Sequence, residues 1–501
     1  MKLSAIISLS LSAIMVSGAL AYAKPQVFPV GTVKYNPAKT FNSYVVFASN
    51  RTVKVVDRNG NLVKEWDNRS DTYGYNKVLP GGHVLTTLYP NLKGGMSDHN
   101  TVAILDWDGN IVRKFNHLIK VDEQPGAPKD ANGETWVSRQ HHDSEIEGMS
   151  TGYYAPGQQP KLDGKMLVLA HENVKHPGIN PNVLLDDIIV IVDKDENILW
   201  KWNASDHFEE FGFSIPAVTK TQSFRMAKSP TPYQGIDWFH INCASWLGPN
   251  KWYDAGDKRF HPENIICDSR QTSHLFIIDH ESGEIVWQVA PPFVGADAQL
   301  APIAGVHGTH MIPKGLPGEG NILIFDNGGA LPPNVYKDQE HGYSRVLEFD
   351  PVTKKKVWEY SGPAVGIVPN MADNFFLSQF ISNAQRLPNG NTLICEGAAN
   401  RIFEVTPERE TVWEYINPYN NGKRPGFTYR AYAVPYDFIP QLQKPEEISV
   451  TPPRNEVILV PNDKGGLPDY KPTIDKGEYV QFGDSVPLLT PALAEKLGLK
   501  K

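Results

Sequence analysis

Six stretches of this 501-residue chain repeat one pattern: an acidic or turn residue, a polar tight turn, an apolar pair and an aromatic side chain. They are DRNGNLVKEW ending at Trp66, DWDGNIVRKF ending at Phe115, DKDENILWKW ending at Trp202, DHESGEIVW ending at Trp287, DPVTKKKVW ending at Trp358 and TPERETVW ending at Trp413. Each reads as the hairpin between the last two strands of a repeat, with a polar turn and a following strand that has apolar residues to bury. A β-rich run precedes each hairpin (TVKVVD, NTVAILD, DDIIVIVD, SHLFIID, SRVLEFD, NRIFEV), and another precedes that (YVVFAS, HVLTTLY, KMLVLAH, NIICDSR, NILIFDN, NTLICEG). Units two to six carry a further leading strand. Four strands repeated six times predict an all-β fold, a six-bladed β-propeller of four-stranded antiparallel blades. The repeated tryptophans read as packing residues, and Arg345 and Arg401 as contacts between blades.

The first unit lacks its own leading strand, because residues 24–41 read as a loop-like lead-in. TYRAYAVPYDF at 428–438 is the candidate that closes the ring and removes its exposed edges. The expected organisation is a signal peptide at 1–23, the lead-in at 24–41, the propeller at 42–440 and a C-terminal extension at 441–501, rich in Pro and Lys, with a short helical reading at ALAEKLGL. Lys2, the run IISLSLSAIMVSGAL and the cleavage pattern Ala21-Tyr22-Ala23 predict export and a periplasmic location. That apolar run is shorter than the ~20 residues a membrane span needs, and no later segment qualifies. A formal charge of −8 without a basic run argues against nucleic-acid binding, so an anionic substrate would need local positive charge.

Candidate chemistry gathers around residues 237–270, where DWFHIN and IICDSR read as neighbouring strands. One antiparallel register sets His240 opposite Arg270 on one face and Cys243 opposite Cys267 on the other. With three cysteines and an oxidising compartment, this predicts a Cys243–Cys267 disulfide with Cys395 left over. Leading strands line a propeller's channel, and those of units three, four and five contain QHHD (His141, His142), DWFHIN (His240) and GVHGTHMIP (His307, His310). Counting back from the proline that ends the strand puts His307 inward. His310 then has opposite parity and faces the neighbouring blade, unless a bulge intervenes; a similar alignment favours His142 over His141.

Such a cluster can bind a divalent metal, or it can present a neutral imidazole as nucleophile. Arg270 favours the second, because a guanidinium is repelled by a metal but clamps an oxyanion such as sulfate or phosphate, and Asn242 adds a neutral donor. A metal-dependent propeller hydrolase or lyase using the same histidines, and a non-enzymatic propeller binding a partner through its loop face, remain the alternatives. Insertions at 148–164 (GMSTGYYAPGQQPKLDG) and in the fourth unit (GPNKWYDAGDKRFHPE) are expected on one face, where long loops carry function.

At HHD (His141 to Asp143), DWFHIN, SRQ (Ser269 to Gln271), VHGT, NILIFDNG, YSRVLEFD, VWEY, YRAY and VPYDF the chain resembles the bacterial arylsulfate sulfotransferases, which are PAPS-independent. The resemblance implies sulfuryl transfer from an aryl sulfate donor to a phenolic acceptor, by a ping-pong mechanism through a sulfohistidine and without a cofactor. It implies His307 as nucleophile, His240, Asn242 and Arg270 as holders of the sulfuryl oxygens, and His142 as the remaining active-site histidine. Three departures stand out. Asp268 replaces the usual serine before SR, insertion 148–164 replaces a short turn after HHD, and there is no room for the N-terminal β-sandwich of the best-known periplasmic members. Tyr153, Tyr154 and Trp252 in the insertions are candidates to stack on an aryl ring. The sequence leaves the oligomeric state open, with a homodimer as one expectation.

Overall fold

Alternating apolar residues and polar turns pair as strands where the repeat places them. A computed structural model describes residues 30–451 apart from 50, 68–75, 91–97, 122–128, 150, 226–234, 330–334, 368–374 and 420–426. The expected signal peptide and the helical reading at ALAEKLGL lie outside the described residues.

The fold is all-β, in a propeller arrangement. Three sheets have four antiparallel strands each: Ala431–Val434 with Tyr44–Ser49, Thr52–Val56 and Leu62–Asp67; Ile241–Trp246 through Ile285–Val289; and His307–Met311 through Lys356–Ser361. The chain's end therefore does supply the leading strand of the first unit, with Tyr44 opposite Val434. The last repeat, Asn383–Arg386 through Thr411–Ile416, gains a fifth strand from Gly31–Tyr35. This corrects the loop-like reading of the lead-in, whose short run of alternating residues covers an otherwise open edge. The second and third repeats join in one nine-stranded sheet through a single pairing, Gln140 with His99.

The repeated motif has two structural meanings. Its acidic residue caps the hairpin turn, as when Asp106 accepts from the backbone N–H groups of Asp108 and Asn110, and Asp193 from those of Asp195 and Asn197. Its tryptophan reaches the turn of the next unit. The indole N–H groups of Trp66, Trp202, Trp287, Trp358 and Trp413 donate to the carbonyls of Asp106, Gly283, Pro351, Pro407 and Arg58 at 2.7–3.0 Å. Phe115 cannot donate, and Arg113 Nη2 takes over with a 3.0 Å bond to the carbonyl of Asp193. The bond from Trp413 to Arg58 links the last repeat to the first. Arg345 and Arg401 form their ion pairs within their own sheets and not between blades: buried Arg345 with Asp326 (2.7 Å), and half-buried Arg401 with Glu396 (3.1 Å) and Glu414 (2.5 Å).

The predicted disulfide does not form. His240 does stand opposite Arg270, whose N–H donates to the His240 carbonyl at 2.9 Å, and Ile241 pairs with Ser269. A bulge at Asn242 then shifts the register by one residue, so Cys243 pairs with Asp268 and Cys267 with Ala244. The two thiols consequently face opposite sides of the sheet: Cys243 Sγ donates to the Thr309 carbonyl at 3.1 Å, and Cys267 lies in an apolar cluster with Leu169, Ile189 and Phe276. All three cysteines are free and buried. Alkylation of the denatured, unreduced protein is expected to modify three thiols; modification of only one would restore the disulfide.

Candidate active site

Each histidine-bearing inner strand breaks its register near the histidine. Pairing slips between Gln140 and Ser144, between Ile241 and Cys243, and between His307 and His310. The backbone enters the left-handed region at His142 (φ 53°), His240 (φ 62°) and Gly308 (φ 64°). Glycine is favoured at 308, because a Cβ there would crowd Asn383 Cβ at 3.0 Å as well as take up a strained φ. Non-glycine residues in this region are uncommon and strained, and bulges re-aim side chains beside active sites. Here they turn the rings of His142 and His240 onto each other, with centroids 4.7 Å apart. The bulge at Gly308 also changes the parity of His310, which faces the channel rather than the neighbouring blade and meets Tyr153 at 6.3 Å between ring centroids.

A network around Asn327 fixes the state of His307. Asn327 Nδ2 donates to the carbonyls of Ser378 (2.6 Å) and Ile381 (2.9 Å), which leaves its Oδ1 facing His307 Nδ1 at 2.6 Å. The Gly305 carbonyl approaches the same nitrogen at 3.0 Å. Two acceptors at Nδ1 place the proton there, so Nε2 carries the lone pair; it accepts from the Ile381 N–H at 3.1 Å. Ile381 (φ 56°) and Ser382 (φ 91°) hold left-handed conformations to present that N–H. Burial, followed by Arg270, pushes the His307 pKa well below the ordinary imidazole value.

Arg270 is also buried and holds Gln271 Oε1 at 3.0 Å. His240 Nδ1 lies 2.6 Å from Asp237 Oδ2. Burial raises the pKa of Asp237, but His240, His171 and Arg270 outweigh it and hold the carboxyl at about 2, so it is ionised. His142 Nδ1 meets His141 Nδ1 at 2.7 Å, and His141 stacks on His171 with centroids 3.6 Å apart. His171 in turn bonds Asp98 at 2.5 Å. Asn242 donates its amide to the carbonyl of Val306 at 3.2 Å, tying the fourth unit to the residue before His307.

Asp268 turns away from Arg270. Its two oxygens accept from the N–H groups of Asn242 (3.2 Å) and Thr309 (3.0 Å), and burial pushes its pKa up to about 7. Other acidic side chains do the same between the third and fourth units. Asp187 accepts from the N–H groups of His240 (2.8 Å) and Ile241 (3.1 Å), Asp143 from Ala244 (3.3 Å) and Glu145 from Trp246 (3.1 Å). Arg430 bridges Asp143 and the carbonyl of Asn242 below the histidines.

The structure thus brings His142, His240, Asn242, Arg270 and His307 to one end of the inner strands. Tyr153 is buried on Tyr432 with ring centroids 5.1 Å apart, Tyr154 packs on Phe438, and Trp252 donates to the Gly320 carbonyl at 2.7 Å. All three serve packing. Among the described residues, the groupings with three ligand atoms within 4.8 Å are His141, His171 and Asp187, and His261, Glu263 and His280. In each, the two imidazoles stack within 8° of parallel, and neither group includes His142, His240 or His307. Sequence reasoning missed Asn327, Asp187, Ile381 and Arg430. Asn327 stands inside NILIFDNG, but an amide beside a strand end carries no distinguishing pattern.

The propeller arrangement and this His–Arg cluster define a class, and sequence comparison supplies the family. The model of the family described as Arylsulfotransferase (ASST) matches residues 158–431, and the chain belongs to that family. No curated protein matches it in sequence. Similar solved structures include a protein of unknown function from Bacteroides caccae (TM-score 0.38, 12% identity, covering 78% of this chain and 99% of that one). They also include the β-propeller domain of Myceliophteria thermophila Cps50 (Swd1) (0.34, 8%, 79% and 88%) and virginiamycin B lyase from Staphylococcus aureus (0.33, 11%, 78% and 89%).

Asp187→Ala leaves two buried N–H groups without an acceptor. It is expected to cost about 1–3 kcal/mol for each, read as a lower denaturation midpoint, and Asp187→Asn, which keeps one acceptor oxygen, is expected to lose less. An unchanged midpoint in Asp187→Ala would contradict this role.

Proposed function

We propose that this chain is a PAPS-independent aryl-sulfate sulfotransferase acting by a ping-pong mechanism through a sulfohistidine at His307, on a six-bladed propeller in which the nine-stranded sheet counts as two blades. The reading is carried by one observation: the Nδ1 proton of His307 is fixed by Asn327 and Gly305, which leaves a lone pair on Nε2 beside Arg270. The blade count is supported by the tryptophan and arginine bonds that run from each repeat to the next and back to the first.

In the first half-reaction Nε2 attacks sulfur and the N–S bond forms as the aryl S–O bond breaks. The electron pair leaves on the aryl oxide, a good leaving group. His240, backed by the ionised Asp237, is placed to supply a proton where one is needed, with His142 beside it. Arg270 and the free amide hydrogen of Asn242 stabilise the sulfuryl oxygens during transfer. The Ile381 N–H, which holds the lone pair at rest, turns to one of those oxygens once Nε2 is occupied. In the second half-reaction a phenol oxygen attacks sulfur, the N–S pair returns to His307, and the phenol proton passes to His240. Export to the periplasm rests on the leader pattern at 1–23 alone, and a homodimer remains a proposal.

Mixing enzyme with excess aryl sulfate and no acceptor is expected to release one equivalent of phenol in a burst, and added phenol to restore turnover. Steady cleavage that ignores the acceptor would contradict transfer. Arg270→Ala is expected to lower kcat/KM by about 10²–10³. Because burial and Arg270 lower the His307 pKa, the nucleophile stays neutral as pH falls through ~6.5, where a free imidazole protonates. The acid limb of kcat/KM assigned to His307, as the limb missing when its neighbours titrate alone, is therefore expected below that value; a nucleophile titrating at or above it would contradict this environment.

A further inference from the structure

The insertion at 148–164 leaves the third unit at Ile146, the end of the inner strand away from His142. Instead of staying on the rim, it turns back into the channel. Thr151 Oγ1 meets Ser245 Oγ of the fourth unit at 3.2 Å. A Cβ on Gly152 would stand 2.5 Å from the His310 ring of the fifth unit, so only glycine fits there. Tyr153 stacks within 10° of parallel on Tyr432 of the first unit, and Lys77 of the second unit stands 5.6 Å above its ring. Three consecutive residues from the third unit thus touch the inner strands of the first, second, fourth and fifth.

We propose that this insertion is a floor that closes one end of the channel, with Tyr153 as its tip. Tyr153 is then a positioning residue: packed on Tyr432 and under Lys77, it backs the layer that limits how deep an aryl group can enter. The floor stands under the charged layer of Lys77, Asp143 and Arg430, and Arg430 in turn bonds the carbonyl of Asn242. Outside it lies a separate hollow of about 410 Å³ lined by residues 148–149, 151, 155–159, 247–249 and 313–314, on the far side from His307. With one end closed, donor and acceptor use the same mouth. The first phenol must leave before the second enters, which deepens the ping-pong reading and rests on it.

Cys243 reports on the floor without any turnover. Its thiol is free, buried and bonded to the carbonyl of Thr309, the neighbour of His310. In a Cys267→Ser/Cys395→Ser background, modification of Cys243 by methyl methanethiosulfonate is expected to be slow with Tyr153 present. It is expected to be about tenfold faster or more in Tyr153→Ala, judged against global unfolding measured in parallel. Should Tyr153→Ala not fold, Tyr153→Val carries the same reading. A folded variant labelled no faster than its parent would overturn the floor. The same variants, given aryl sulfate without acceptor, are expected to hydrolyse it faster as water enters from below. If no variant turns over aryl sulfate while the labelling contrast stands, the floor survives and the transferase reading fails.

Discussion

Inner strands that converge on a channel have one backbone edge that no other strand reaches, and the N–H groups along it must still be satisfied. In this protein, carboxylates and amides of one repeat reach across to the inner strand of another. Asp143, Glu145 and Asp187 serve the strand at Ile241–Trp246, Asp268 serves Thr309, and Asn383 and Gln385 serve Ala431 and Ala433. The histidines inherit their positions from these bonds. His240 is held by its own backbone N–H on Asp187, and the strand of His307 is held at Thr309 by Asp268. A run of buried acidic residues that looks wasteful in sequence is the frame of the site.

The same frame sets the electrostatics. Burial pushes Asp187, Asp268 and Glu145 up to about 7, which moderates the negative charge close to Arg270. Asp237, which bonds His240, is by contrast held well down. His141, His142 and His307 are held neutral chiefly by burial. One end of the channel therefore combines a buried guanidinium, a carboxylate-backed imidazole and a neutral imidazole of defined tautomer, a set suited to an anion that must be bound and then attacked.

The fold was legible because a hairpin recurs at every repeat and a tryptophan at five of the six, and each has a local physical cause. The closing strand at Ala431–Val434 was legible because an edge has to be covered. His240 does pair with Arg270, while the cysteines three residues further on do not pair with each other. A bulge adds one residue at Asn242 without any local sequence signal, and every face beyond it inverts. His310 moved for the same reason at Gly308. The strand Gly31–Tyr35 and the inward course of Thr151 to Tyr153 depend on surfaces made elsewhere in the chain, so the segments themselves do not announce them. Asp268 is explained by the bonds it makes across the channel, to the N–H groups of Asn242 and Thr309.

The central claim is that His307 Nε2 takes the sulfuryl group. The most direct measurement is to quench the enzyme in alkali after brief exposure to a radiolabelled aryl sulfate, digest it and sequence the labelled peptide. The account predicts label on the peptide carrying His307, lost in His307→Ala and discharged by added phenol. Label on His142 or His240 in the native enzyme, or full transfer by His307→Ala, would contradict it.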